Sequence, residues 1–124
     1  MTAKDAARAS VPFNYGPRCR REHKDRIAED IRRRLSYSFP EQAYRAQIVA
    51  ATLHNTYRRL KGLDAPTLIV HGHEDRVVPV ANAEILADGI PRSELRILED
   101  AGHLYSTEQP DVDEQIARFF LAAR

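Results

Sequence analysis

The stretch PTLIVHGHEDRVVPVANAEILADGIP, residues 66–91, decides the fold. Thr67, Leu68, Ile69 and Val70 form a continuous β-type run with no polar alternation, the pattern of a strand buried on both faces. Gly72 ends it. Ala81 to Ala87 then reads as a helix, which Gly89 and Pro91 stop. Further on, LRILEDAGHLYSTEQP (residues 95–110) opens on a second apolar run, Leu95 to Leu98, closed by Asp100, Ala101 and Gly102. Strand, helix, strand in this order predicts two parallel neighbours joined by a right-handed helical crossover.

The flanks extend the pattern. A last helix begins near Pro110, where proline suits the first turn. Asp111, Asp113 and Glu114 cluster at its positive end, and Val112, Ile116, Phe119 and Phe120 make its expected buried face. Upstream, Ala46, Val49, Leu53, Tyr57 and Leu60 form an apolar stripe, which predicts one helix from about Glu41 to Leu60 with Gly62 ending it. Ile27, Ile31 and Leu35 recur at steps of four, so residues 23–35 read as a helix whose last turn carries Arg32, Arg33 and Arg34. Residues 1–22 have no clear period and are punctuated by Pro12, Gly16 and Pro17; they read as loop or disorder. The expected class is α/β, with elements in the order helix, helix, strand, helix, strand, helix.

At 124 residues the chain can build one small domain with a modest core. Charged residues at 30% and hydrophobic ones at 43% are those of an ordinary globular protein. No apolar run approaches the roughly 20 residues of a membrane helix. The start, MTAKDAARAS, lacks the apolar block of a secretory signal, so a cytoplasmic protein without a membrane partner is expected. Cys19 is the single cysteine, which excludes an internal disulfide and a thiolate zinc knuckle. The net charge of +1 hides an asymmetry: residues 1–62 carry 14 Lys and Arg against 6 Asp and Glu, residues 63–124 carry 5 against 12. A basic half raises nucleic acid as a partner. Without aromatic interleaving or a binding motif it reads as a solvated, arginine-rich helical surface, and no nucleic-acid partner is expected.

Within the opening stretch, HGHEDR (residues 71–76) admits two chemistries. His71, His73 and Asp75 alternate like metal ligands in a turn after a strand. The H-x-H-x-D pattern resembles the metal motif of the metallo-β-lactamase superfamily. That motif continues with a histidine, and here Arg76, a fixed cation, follows the aspartate. The remaining histidines, His23, His54 and His103, fall in no recognisable ligand motif. The expectation is no metal.

In the second chemistry Asp75 acts with His103. Together, residues 66–91, residues 95–110 and a closing helix ending in FFL (119–121) resemble the C-terminal part of the α/β-hydrolase fold family. The resemblance implies that Asp75 is the triad acid and His103 the triad base, with no metal or organic cofactor. Taken singly, each residue reads more simply as a turn cap or a packing side chain. The pair in this order carries the stronger reading. The carboxyl ends of neighbouring parallel strands share one sheet edge, where ligands bind in open α/β folds. With strands about 4.8 Å apart, short loops can bring a carboxylate and an imidazole into contact. His71 then reads as the last residue of the strand, Gly72 as the turn, and His73 and Glu74 as exposed spacers.

The resemblance covers roughly residues 40–124. Gln47 to Ala50 and the segment Leu60 to Pro66 also look similar to the family, and residues 24–40 to the end of its lid. The expected division is therefore residues 1–40 as a loop plus helix, a lid remnant, and residues 41–124 as the C-terminal part of the hydrolase domain, two parallel strands with helices. A nucleophile elbow of the form G-x-S-x-G is required before the acid and base. The glycines at 16, 62, 72, 89 and 102 contain no pair four apart, and Ser10, Ser36, Ser38, Ser93 and Ser106 do not lie between a strand and a helix in the required way. The expectation is a truncated or split hydrolase of the ester, lactone or carbon–carbon class, inactive alone. It would take a small-molecule substrate only once an N-terminal half completes it, and its exposed strand edge would favour a homo-oligomer. The alternative is a non-catalytic interaction module, and a third, less favoured reading is a metal-dependent hydrolase using the HxHxD turn.

Overall fold

The computed structural model describes residues 2–37 and 40–122. Four helices come first: α1 (Ala3–Ala9), α2 (Val11–Asn14), α3 (Pro17–Glu22) and α4 (Lys24–Ser36). Next come α5 (Glu41–Leu53) and a 3-10 helix (Tyr57–Gly62), then β1 (Thr67–Gly72), α6 (Ala81–Gly89), β2 (Ser93–Leu98), α7 (Tyr105–Glu108) and α8 (Val112–Ala122). β1 and β2 pair in parallel, in register from Thr67 opposite Ser93 to Gly72 opposite Leu98. The predicted α/β class and the parallel pair are what the molecule has.

Two apolar clusters hold it. Leu60, Ile69, Ala83 and Ile90 sit between the strand pair, α6 and the 3-10 helix, with Ala87, Leu95 and Ile97 against them. Tyr15, Cys19 and Ile27 make the second cluster, with Val11, Ile31 and Leu104 packed on it. Leu104 follows His103, so the N-terminal helices rest on the loop after β2.

Three expectations are corrected. Residues 2–22, the described part of the segment 1–22, are mostly helical and not loop. Thr2 caps α1 by a capping box with Asp5, whose amide donates to Thr2 Oγ1 at 3.1 Å while Asp5 Oδ2 accepts from the Thr2 amide at 3.0 Å. Pro12 and Pro17 lie in the first turns of α2 and α3, where a missing N–H costs nothing; read as breakers, they are helix starters. The helix from 41 stops at Leu53 instead of running to Leu60. There His54, Asn55 and Thr56 offer side-chain alternatives to helical bonding: the Tyr57 amide donates to Asn55 Oδ1 at 3.2 Å, and Thr56 Oγ1 pairs with His54 Nε2 at the same distance.

The third correction concerns burial. Of the stripe on residues 46–60, only Leu60 is buried; Val49, Leu53 and Tyr57 are exposed, as are Tyr44 and Ile48. Among the described residues no element covers this face of α5. In α8, Val112 is buried and Ile116 and Phe119 half-buried, but Phe120 is exposed. No described helix is long and apolar enough to cross a membrane.

Candidate active site

The two loops that leave the carboxyl ends of β1 and β2 meet. Backbone bonds stitch them: the His73 amide donates to Leu98 O and the Glu74 amide to Ala101 O, both at 2.9 Å. Gly72 permits this closeness. A Cβ there would collide with the carbonyl oxygens of Ala101 and Gly102 and stand 2.8 Å from the Ala101 carbonyl carbon. No described glycine has positive φ, so the requirement at Gly72 is space rather than conformational freedom.

Asp75 lies in the turn after β1 with its side chain 4% exposed. Its Oδ1 accepts from the amides of Val77 at 2.8 Å and Val78 at 2.9 Å. Its Oδ2 stands 2.9 Å from Nδ1 of His103. Burial opposes ionisation of Asp75. The Val78 amide, the His103 imidazole and the Val77 amide together outweigh burial and hold the carboxyl below the ordinary Asp value of 3.8. A carboxylate only accepts, so in the neutral imidazole Nδ1 of His103 is the nitrogen that carries the proton and Nε2 presents its lone pair. The His103 side chain is 38% exposed, so that lone pair can reach a reacting group.

His71 is half-buried and donates through Nε2 to Val78 O at 3.0 Å, with Asp75 Oδ2 further away at 3.5 Å. It braces the acid turn. His73 is exposed. Among the described residues no three His, Cys, Asp or Glu side chains gather as a group that could hold a metal ion. Arg76 stacks its guanidinium over Phe13, 5.5 Å from the ring centroid, which joins the acid turn to α2.

Sequence reasoning missed Glu108. Both of its oxygens accept backbone amides, Oε1 from Gly102 at 2.7 Å and Oε2 from Gly16 at 2.8 Å. Burial pushes its carboxyl above the ordinary Glu value against the pull of these amides. In the sequence Glu108 is one acid among polar residues, and nothing there marks it as buried. Cys19 is buried too, its thiol pushed up to about 11 by burial and by the Glu108 carboxylate. It faces a cleft shared with Arg18, His23 and Arg26, away from Asp75 and His103.

The shifts set opposite pH responses. Asp75 is lowered, so its contribution to stability is complete above its unfolded value and is lost as pH falls through the folded one. Glu108 is raised, so its contribution is complete below the unfolded value and is lost as pH rises through the folded one. Asp75→Asn is therefore expected to flatten the loss of stability as pH falls below the ordinary Asp value of 3.8. Urea midpoints across that range check it, and an unchanged acid limb counts against the stated role of Asp75.

A parallel strand pair with a helical crossover, closed by loops at one sheet edge, is the carboxyl-terminal architecture of an α/β hydrolase. The chain belongs to the alpha/beta hydrolase fold family, which it matches over residues 9–110. The match begins well before residue 40, so α2 to α4 are part of the family pattern too. The chain is 45% identical over 64 residues to 2-hydroxy-6-oxononadienedioate/2-hydroxy-6-oxononatrienedioate hydrolase of Klebsiella pneumoniae, covering 52% of this chain and 22% of that one. Among solved structures, a thermophilic esterase from Thermogutta terrifontis superposes with a TM-score of 0.79 at 30% identity, over 95% of this chain and 43% of that one. Est816, described as an N-acyl homoserine lactone degrading enzyme, gives 0.69 at 33% identity, over 94% and 45%. The chain spans 25% to 45% of the length of the curated relatives that match two thirds of it or more.

Proposed function

We propose that this chain supplies the acid and base of a hydrolase acting on an ester, lactone or carbon–carbon bond of a small organic substrate. Residues 1–40 contribute to a lid, and residues 41–124 are the C-terminal part of the catalytic domain. The observation that carries the reading is the 2.9 Å contact between Asp75 Oδ2 and His103 Nδ1, with Oδ1 of the same carboxylate held by two amides. In this arrangement Nε2 of His103 takes the proton of a nucleophilic hydroxyl as it attacks the substrate carbonyl. Asp75 stabilises the imidazolium, and His103 returns the proton to the leaving group. The three matched relatives, an esterase, a lactone-degrading enzyme and a hydrolase of an oxo-diacid, support this range of bonds.

Among the described residues no hydroxyl or thiol bonds to Nε2 of His103. In this proposal the nucleophile lies on a strand–turn–helix elbow outside residues 1–124, and the chain alone turns over no ester. Mixing it with a nucleophile-bearing N-terminal half taken from a matched relative is expected to produce hydrolysis of a p-nitrophenyl ester or a simple lactone. Rapid turnover by the chain alone, abolished by His103→Ala, would overturn the division of labour; a folded but inactive mixture would count against the hydrolase reading.

The exposed apolar face of α5 favours a second reading, a non-catalytic interaction module. Size-exclusion separates the two. A stable homo-oligomer indifferent to the N-terminal half supports the module, and a one-to-one complex with restored activity supports the hydrolase.

A further inference from the structure

We propose that Glu108 is a positioning residue for His103, bridging the segment Asn14–Gly16 to the loop that carries the imidazole. This rests on His103 acting as the base. The bridge has three parts. Glu108 is a buried charge, 6% exposed, and its oxygens bind the amides of Gly102 and Gly16, one directly before His103 and the other between α2 and α3. On the far side of His103, the Leu104 amide donates to Asn14 O at 2.9 Å. The backbone of His103 is thus held from both neighbours by the same three-residue segment, once directly and once through Glu108.

The glycines show how close the two backbones run. A Cβ on Gly102 would stand 2.8 Å from the Gly16 nitrogen and 2.9 Å from Asn14 O, and one on Gly16 would stand 3.1 Å from Glu108 Oε2. Two N–H groups converge here in a space closed to side chains. An ionised carboxylate accepts at both ends, whereas an amide has one accepting end and one donating end. A carboxylate is therefore the fitting group, although burying it is costly. The groups around it are Arg20 and Cys19 of α3, Arg26 of α4, whose Nη1 donates to Glu108 O at 3.4 Å, and Asp75 of the acid turn. Because α3 also buries Cys19 in the second apolar cluster, a shift of the N-terminal helices moves the segment that holds the base.

NMR of the whole chain tests the inference. In the wild type, the His103 Nδ1 proton bound to Asp75 is expected as a far-downfield signal that Asp75→Asn removes. Glu108→Gln is expected to abolish that signal and to raise the exchange rate of the Gly102 amide by about tenfold or more, with the helical circular dichroism unchanged. Glu108→Asp, too short to span both amides, is expected to act in the same direction. If neither variant folds, the wild type still decides: the Gly16 and Gly102 amides must titrate with one shared midpoint, and the His103 signal must follow it.

A lower thermal midpoint with an unaltered His103 signal in the variants makes Glu108 merely structural and overturns the inference alone. Amides that titrate apart, or a His103 signal that ignores them, overturn it in the same way. A wild type with no Nδ1 signal dependent on Asp75 overturns the acid–base reading itself.

Discussion

His103→Ala, in the enzyme completed by a nucleophile-bearing half, is expected to lower kcat on the order of 10⁴-fold with little change in KM. The imidazole enters the reaction only as the proton moves, so its loss raises the barrier without removing substrate binding. Asp75→Asn should lose less. The Asn oxygen can still accept the Val77 and Val78 amides, but the amide nitrogen donates towards Nδ1 and favours the opposite imidazole tautomer, with the proton on Nε2. Steady-state kinetics of the two variants on one ester checks the order. Equal and small losses would remove the base from His103, and a loss confined to KM would make it a binding residue.

Gly72→Ala is expected to destabilise the chain by about 3 kcal/mol, the upper range for forcing atoms into a filled core. The new Cβ meets main-chain atoms of Ala101 and Gly102, which cannot swing aside as a side chain would. Relief requires parting the loops after β1 and β2, and with them the bonds from His73 and Glu74 and the contact between Asp75 and His103. Urea unfolding should give a lower midpoint with a similar slope. Gly62→Ala serves as the control, because nothing lies within 4 Å of its added Cβ. A Gly72→Ala midpoint equal to that of the control would mean that the loops are free to separate.

The legible parts of this protein share a local cause. Thr67 to Val70 and Leu95 to Leu98 are largely apolar runs, each followed within four residues by a glycine, so their pattern and punctuation suffice. The candidate pair was legible because each residue lies in the loop that leaves a strand end, three residues after β1 and five after β2, and the positions of strand ends are themselves local. The N-terminal helices were missed because Pro12 and Pro17 were read as breaks, and proline's effect depends on where in the turn it falls. The stripe on α5 has a helical period but no partner, and period alone does not tell burial from exposure.

By itself, then, the sequence determined the α/β class, the two strands, the crossover helix and the candidate pair Asp75 and His103. These follow from side-chain pattern and chain order, which act over a few residues. Only the tertiary structure placed Nε2 of His71 on Val78 O and Oδ2 of Asp75 on Nδ1 of His103, and showed that Glu108 bonds both Gly102 and Gly16, the latter 92 residues away along the chain. Burial and the direction of a carboxylate's hydrogen bonds are set by atoms distant in sequence. The cost of burying a charge leaves no mark in composition or period, and it is met only where folding brings two amides to the same point.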